Sequence, residues 1–205
     1  MPKKLCALTF DDGPNTVTTP LVLEKLKKYG IPASFFLVGN NIDEASAKVV
    51  KAAFDMGCDI ENHSRTHTAF TELSPEEIRA EIKFTSDKIE SITGRAPGFF
   101  RPPYIAVSDK VFENVMLTFI AGIGAEDWLP EVTAQERAEK IIAQIADGAV
   151  ILLHDMTGNT PTVEALDFII PRLSGEYEFV TISRLFHGVK PEKNKIYSFV
   201  KEKNE

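Results

Sequence analysis

The feature that most constrains this chain is a repeated unit, in which a helical pattern stops at a glycine and a short apolar run follows. Three such helical patterns cover residues 19–29, 43–56 and 74–93. Two more begin at Thr133 and Thr160, which are residue types that start helices. The predicted strands cover residues 5–10, 33–38, 58–62, 98–103, 149–153 and 179–182.

This alternation predicts the fold class. Strands that alternate with helices form parallel sheets, and about six or seven such units predict an α/β fold that is closed, or nearly closed, into a barrel. The alternative is an open doubly wound sheet. No glycine-rich phosphate loop follows the first predicted strand, which argues against the nucleotide-binding versions of that alternative.

Length and composition limit the number of domains and the kinds of partner that this chain can have. The chain has 205 residues, enough for one α/β domain and too few for two. We expect a single domain over residues 1–189 and a charged C-terminal tail over residues 190–205. The net charge of −7 argues against nucleic acid and anionic membranes as partners. No apolar run reaches membrane-spanning length, so we expect a soluble protein. The sequence as printed predicts a cytoplasmic location. If an export signal has been removed, we expect a secreted or cell-wall associated protein.

Two short segments carry the residues of metal chemistry. HSRTH at residues 63–67 has two histidines four positions apart, and TFDDGP at residues 9–14 ends the first strand with two aspartates. Two imidazoles and one distant carboxylate suit a divalent metal with open positions for water and substrate. Each segment alone has an ordinary explanation, as a surface histidine pair or as a turn. Their position after predicted strands favours the functional interpretation.

Other polar residues also follow apolar runs. Arg101, Asp127 and His154 each stand at or just beyond the end of such a run. The carboxyl ends of the strands are where α/β barrels carry their active sites. The sequence therefore predicts that these three residues gather with the histidine and aspartate segments on one face of the barrel.

Taken together, five motifs resemble the signature of the polysaccharide deacetylases, the NodB-homology group also called carbohydrate esterase family 4. They are TFDDGP (9–14), HSRTH (63–67), RPPY (101–104), DW (127–128) and ILLHD (151–155). The resemblance spans nearly the whole chain and implies a distorted, incomplete, TIM-like (β/α) barrel of about seven strands. The chain departs from the family at Gly124 and Ala125, where Asp-Ser is frequent, and at Ile105, where Gly is common. These positions concern the cleft wall and hence substrate fit.

The resemblance implies a metal site and a base. Asp12, His63 and His67 match the family's ligands for one divalent ion, with Zn as the default and Co or Ni as alternatives. Asp11 matches the base that takes a proton from water, and Arg101 matches the arginine that orients this base.

The same resemblance implies an acid and a substrate pocket. His154 matches the general acid that protonates the leaving group, and Asp127 matches the carboxylate that raises the pKa of this imidazole. The backbone N–H of Tyr104 matches a donor to the oxyanion. Trp128 and Leu152 match residues that line the pocket for the acetyl methyl group.

These implications predict an enzyme whose substrate is an acetylated glycan. The first expectation is a metal-dependent hydrolase that removes N-acetyl groups from amino-sugar polymers or oligomers, of the chitin or peptidoglycan type. One alternative is an O-acetyl-xylan esterase of the same family, which the sequence does not separate from the first. Another is an inactive carbohydrate-binding relative, which is disfavoured because every matched ligand, base and acid is present. The oligomeric state is left open.

Overall fold

One sheet of short strands, surrounded by helices, forms the computed structural model, which describes residues 2–200. The strands are β1 (Lys4–Asp11), β2 (Ser34–Leu37), β3 (Asp59–Asn62), β4 (Phe99–Phe100), β5 (Thr118–Ile120), β6 (Ile123–Gly124), β7 (Ala149–His154), β8 (Tyr177–Val180) and β9 (Ile196–Tyr197). The helices are α1 (Thr18–Tyr29), α2 (Glu44–Asp55), α3 (Pro75–Thr93), α4 (Asp109–Asn114), α5 (Ala134–Gln144), α6 (Thr160–Leu173) and α7 (Ile182–Leu185). Among these residues, no helix has the length and apolar character needed to cross a bilayer.

The strands pair in the order β6-β7-β1-β2-β3-β4-β5-β9, with β8 also paired to β1. The named strands of the described chain pair in parallel throughout. This sheet, with helices between most successive strands, confirms the predicted α/β class and the incomplete barrel that the resemblance implied. It has more strands than the seven expected, because β5, β6 and β9 have only two or three residues each and leave little pattern in the sequence.

Strand β1 is buried on both faces, and its side chains point alternately into two apolar clusters. Cys6, Leu8 and Phe10 pack in the larger apolar cluster, with residues of α1, α5 and α6. Ala7 belongs to a second cluster, which also contains Val150 of β7. Because side chains of a strand alternate between faces, Asp11 lies on the same face as Ala7.

Local signals located the helices well. Gly30 ends α1 in the left-handed conformation, and the side chains of Ser74 and Thr133 begin α3 and α5 in capping boxes, as predicted. Several boundaries were wrong, and the strand predicted over residues 98–103 covers only Phe99–Phe100. Helix α5 ends at Gln144 rather than at Gly148, and the last predicted strand stops at Val180.

The C-terminal segment closes the gap between β5 and β7. Strand β9 pairs with β5, the Val150 N–H donates to the Ser198 carbonyl at 2.9 Å, and the Val200 N–H donates to the Gly148 carbonyl at 2.8 Å. The expectation of a charged tail from residue 190 is therefore wrong for residues 196–200, where Ile196, Tyr197 and Val200 pack in the apolar clusters. Residues 190–195 of that expected tail are exposed, and residues 201–205 lie outside the described residues.

We predict that this closure stabilises the fold. Gly148 has φ +78°, and a Cβ at this position would lie 1.8 Å from the Val200 carbonyl oxygen. Gly148→Ala should therefore lower the free energy of unfolding by about 2 kcal/mol or more. Urea denaturation measures this change.

Gly30→Ala is the matched control. Gly30 has a similar φ of +65°, but nothing lies within 4 Å of the position that a Cβ would take there. Only the left-handed backbone cost of about 1 kcal/mol is expected for this variant. Equal losses in the two variants would contradict a structural role for the contact between residues 148 and 200.

Candidate active site

The carboxyl ends of three strands meet at one rim of the barrel. Asp11, the last residue of β1, pairs in register with His154, the last residue of β7. His63 directly follows β3, and its N–H donates to the Leu37 carbonyl at the end of β2, at 2.9 Å. Parallel pairing thus brings together the residues that the sequence separates by up to 143 positions.

The turns beyond these strands hold residues in unfavourable backbone conformations. Six of the seven non-glycine residues with positive φ in the described chain lie within the motifs or directly beside them. They include Asp12 (φ 72°), His67 (φ 62°) and Tyr104 (φ 58°). Such conformations cost on the order of 1–3 kcal/mol each and cluster at functional sites, where the fold must aim a side chain.

Asp12, His63 and His67 form a compact donor set. Asp12 Oδ1 lies 3.4 Å from His63 Nε2 and 3.3 Å from His67 Nε2, and the donor atoms of all three lie within 4.8 Å of one another. The buried Asp12 Oδ1 has no hydrogen-bond partner among the described residues. His63 Nδ1 lies 2.7 Å from the Arg101 carbonyl, to which it donates, so the Nε2 lone pair faces the set. These features fit a divalent cation.

The protonation states also suit a metal. Burial opposes ionisation of Asp12, but the proximity of the His63 ring and the charges of the nearby histidines lower the pKa of this carboxyl. Burial, with the charge of His63, lowers the pKa of His67. Carboxylate and neutral imidazole are the forms that bind metal ions. The set therefore matches a cation site in charge as well as in position.

A buried arginine holds Asp11 beside this set. Arg101 is fully buried, donates through Nη1 to Asp11 Oδ1, and donates through Nη2 to the Ala121 carbonyl at 2.7 Å. Its guanidinium carbon lies 4.2 Å from the ring centroid of Phe36. Asp11 Oδ2 lies 3.7 Å from His63 Nε2. One carboxylate oxygen is therefore fixed by Arg101 while the other faces the donor set.

His154 has a carboxylate of its own. Asp127 Oδ1 lies 2.7 Å from His154 Nδ1, and Asp127 Oδ2 accepts from the His154 backbone N–H at 2.8 Å. Burial opposes the charged imidazole, but the hydrogen bond and charge of Asp127, with the charges of Asp11 and Asp12, raise the pKa of His154 to about 9. His154 is thus charged near neutral pH and can give a proton from Nε2.

One cleft, with a volume of about 670 Å³, connects these groups. Its size is typical of small-molecule sites. Its lining comprises Asp11, Asp12, His63, His67, Pro102, Tyr104, Ile105, Gly122, Gly124, Trp128, Leu152, His154 and Met156. Eight of the ten residues singled out from the sequence line this cleft, and the other two, Arg101 and Asp127, contact its lining from behind. Tyr104 and Trp128 are 72% and 51% exposed at the cleft.

The sequence did not single out Gly122 or Met156. A Cβ on Gly122 would lie 2.7 Å from Cβ of Leu152, so only glycine lets this turn approach β7. That contact joins residues 30 positions apart and leaves no local pattern. The position of Met156, two residues after His154, was the only signal for its presence in the cleft.

The comparisons with known proteins agree with this geometry. The profile of the polysaccharide deacetylase family matches residues 1–119. This chain belongs to the polysaccharide deacetylase family. The membership inferred from the five motifs is thereby confirmed.

Three relatives define its neighbourhood in the family. A bifunctional xylanase/deacetylase of Pseudobutyrivibrio xylanivorans is 43% identical over 97% of this chain and 34% of its own length. A peptidoglycan-N-acetylglucosamine deacetylase of Listeria monocytogenes is 36% identical over 95% of this chain and 41% of its own length. The solved family 4 acetyl xylan esterase of Clostridium thermocellum, in complex with a cobalt ion, is 42% identical, with a TM-score of 0.94 over 97% of this chain and 100% of that one. The chain thus spans well under half of the two curated relatives.

We predict that His67 contributes to metal affinity. His67→Gln should weaken binding of Zn²⁺ or Co²⁺ on the order of 100-fold or more, because it removes one of three ligands. Isothermal titration of the metal-free protein measures this. His187→Gln is the matched control, since His187 is exposed and lies outside the cleft. Equal affinities for the two variants would contradict the assigned ligand set.

Proposed function

We propose that this chain is a metal-dependent hydrolase that removes acetyl groups from acetylated xylan. The observation that carries the proposal is the single cleft in which the donor set, Asp11 and His154 lie together. A divalent metal held by Asp12, His63 and His67 would polarise an acetyl carbonyl and lower the pKa of a water molecule.

The base half of the reaction belongs to Asp11. Arg101 occupies Asp11 Oδ1, so Oδ2 is the oxygen that takes the proton from the attacking water. The buried guanidinium aims this carboxylate through a charge-assisted hydrogen bond. As the water oxygen bonds to the acetyl carbon, the backbone N–H of Tyr104 donates to the oxygen that becomes negative.

The acid half belongs to His154. Its Nε2 proton passes to the sugar oxygen as the bond between that oxygen and the acetyl carbon breaks, which releases acetate and a free hydroxyl. Asp127 holds the imidazole through Nδ1 and stabilises its charged form. Leu152 and Trp128 contact the acetyl methyl group in this arrangement.

The names of two relatives support xylan as the first candidate glycan. The sequence alone favoured an N-acetyl group, but the relatives at 43% and 42% identity carry xylan in their names, whereas the peptidoglycan deacetylase is 36% identical. Xylan O-acetyl esters therefore come first. N-deacetylation of amino-sugar glycans is the second candidate, and the charged His154 favours it, because an amine leaves only when protonated. The inactive-relative alternative is disfavoured by the complete set of ligands, base and acid.

Acetate release tests the proposal directly. Protein stripped with a chelator should release little acetate from acetylated xylan, and resupplied Co²⁺ or Zn²⁺ should restore release. Asp11→Asn should lower kcat/KM on the order of 100-fold or more, because the base is lost. Asp87→Asn, which changes an exposed aspartate on α3, is the control.

Each result has a definite meaning. Release that does not depend on metal would contradict the roles of Asp12, His63 and His67. Acetate release from N-acetylglucosamine oligomers but not from acetylated xylan would show that the substrate bond is an N-acetyl amide and not an O-acetyl ester. Metal binding without release from either substrate would favour the inactive relative.

The pKa of His154 predicts a pH profile. The acid is protonated below its raised pKa, so kcat/KM on the glycan should hold through neutral pH and fall as the pH rises towards about 9. A bound cation offsets the charges of Asp11 and Asp12, so the fall is expected at or somewhat below that value. Asp127→Asn should move the fall towards the ordinary histidine value of about 6.5. An alkaline limb that stays in place in this variant would contradict the role of Asp127.

A further inference from the structure

Arg137 on α5 is a buried arginine that the mechanism does not use. It is 1% exposed and forms no salt bridge within residues 2–200. Its guanidinium instead donates to four neutral oxygens: the carbonyls of Val132 at 2.8 Å and Leu129 at 3.0 Å, Asn159 Oδ1 at 2.6 Å and Thr162 Oγ1 at 2.8 Å. Burying a charge without an ion pair is costly, so this position calls for a physical explanation.

Two of its partners contact the pair formed by Asp127 and His154. The Thr162 hydroxyl donates to Asp127 Oδ2 at 2.7 Å. The Asn159 amide Nδ2 donates to the Asp127 carbonyl at 3.1 Å and to the His154 carbonyl at 2.9 Å. Arg137 is therefore one residue removed from both members of the acid pair.

The chemistry of arginine fixes the direction of these hydrogen bonds. A guanidinium has only donors, so Thr162 Oγ1 must accept from Arg137, and its single proton is left for Asp127. In the same way, Asn159 Oδ1 accepts from Arg137, which turns Nδ2 towards the two carbonyls. Without Arg137, the hydroxyl and the amide could both adopt other orientations.

We propose that Arg137 is a positioning residue for the acid half of the reaction. Through Thr162 and Asn159 it holds the Asp127 carboxylate and the backbone of His154 in place, so that the imidazole is aimed into the cleft. Its bonds to the Leu129 and Val132 carbonyls hold the turn that follows Trp128. The inference rests on the proposed function in one respect, because it takes His154 as the proton donor.

The arrangement parallels the base half with one difference. Arg101 bonds directly to Asp11, whereas Arg137 reaches Asp127 through a hydroxyl. Asp127 Oδ2 accepts from two donors, the His154 N–H and the Thr162 hydroxyl, and Oδ1 faces the His154 ring. Loss of the Thr162 donor would leave this buried carboxylate free to tilt and would misalign the ring that it holds.

Two substrates with different leaving groups separate this role from a general loss of structure. A sugar alkoxide needs a proton to leave, whereas 4-nitrophenolate from 4-nitrophenyl acetate does not. Arg137→Met should lower kcat on acetylated xylan about tenfold or more with little change in KM, and lower kcat on 4-nitrophenyl acetate less than about threefold. Thr162→Val should show the same pattern, and the double variant should lose less than the sum of the two effects. Arg79→Met, at an exposed arginine of α3, is the control.

A second readout does not depend on activity. In the metal-free protein, the proton on His154 Nδ1 should give a downfield NMR signal, assigned by its loss in His154→Gln. The signal should shift or broaden in Arg137→Met and Thr162→Val and persist in Arg79→Met. If Arg137→Met does not fold, the His154 signal in Thr162→Val decides whether this hydrogen-bond network positions His154.

The outcomes distinguish the two proposals. Equal losses on both substrates, or an unchanged His154 signal in a folded variant, would overturn the role of Arg137. A wild-type protein that releases no acetate from any glycan would overturn the proposed function, and the NMR comparison would then decide whether Arg137 positions His154.

Discussion

The site depends first on the parallel pairing of β1 with β7. This pairing runs from Cys6 with Ala149 to Asp11 with His154, so the base and the acid candidates are neighbours across one ladder. A shift of one residue would turn Asp11 towards the helices, because strand side chains alternate between faces. The apolar residues of β1 are buried on both sides and fix that register. The core and the chemistry therefore constrain each other.

The second constraint is the burial of charged side chains. The two halves of the cleft compensate their buried carboxylates with different partners. Asp11 is balanced by an arginine in direct contact, while Asp127 is satisfied by a histidine and by a hydroxyl that an arginine orients. Truncating one member of such a group leaves an unpaired buried charge, which is strongly destabilising. The same crowding explains the glycine in TFDDGP, since a Cβ on Gly13 would lie 2.7 Å from Asp155 Oδ1. Rigidity of this kind favours catalysis, because a correctly placed group needs no rearrangement during the reaction.

Strained turns show where the fold gives up stability for placement. Positive φ angles at Asp12, His67 and Tyr104 are unfavourable for residues with a side chain, yet they aim two metal-ligand candidates and one backbone N–H into the cleft. The closing segment at residues 196–200 supports the same barrel from the far side of β7. Packing away from the site thus offsets the free-energy cost of the strained backbone near it.

The sequence by itself determined the α/β class, the starts of helices such as α3, and most of the residues that line the cleft, because these rest on local patterns and on short motifs. Asn159 and Thr162 could not be connected to Arg137 in this way, since hydrogen bonds across more than 20 positions leave no periodicity. The strand at Ile196–Tyr197 looked like a charged tail for the same reason: its partner is β5, and the residues that follow it bond to residues 148 and 150 at the start of β7. Only the tertiary structure decides such contacts, because their free energy comes from burial that residues acquire when distant segments meet.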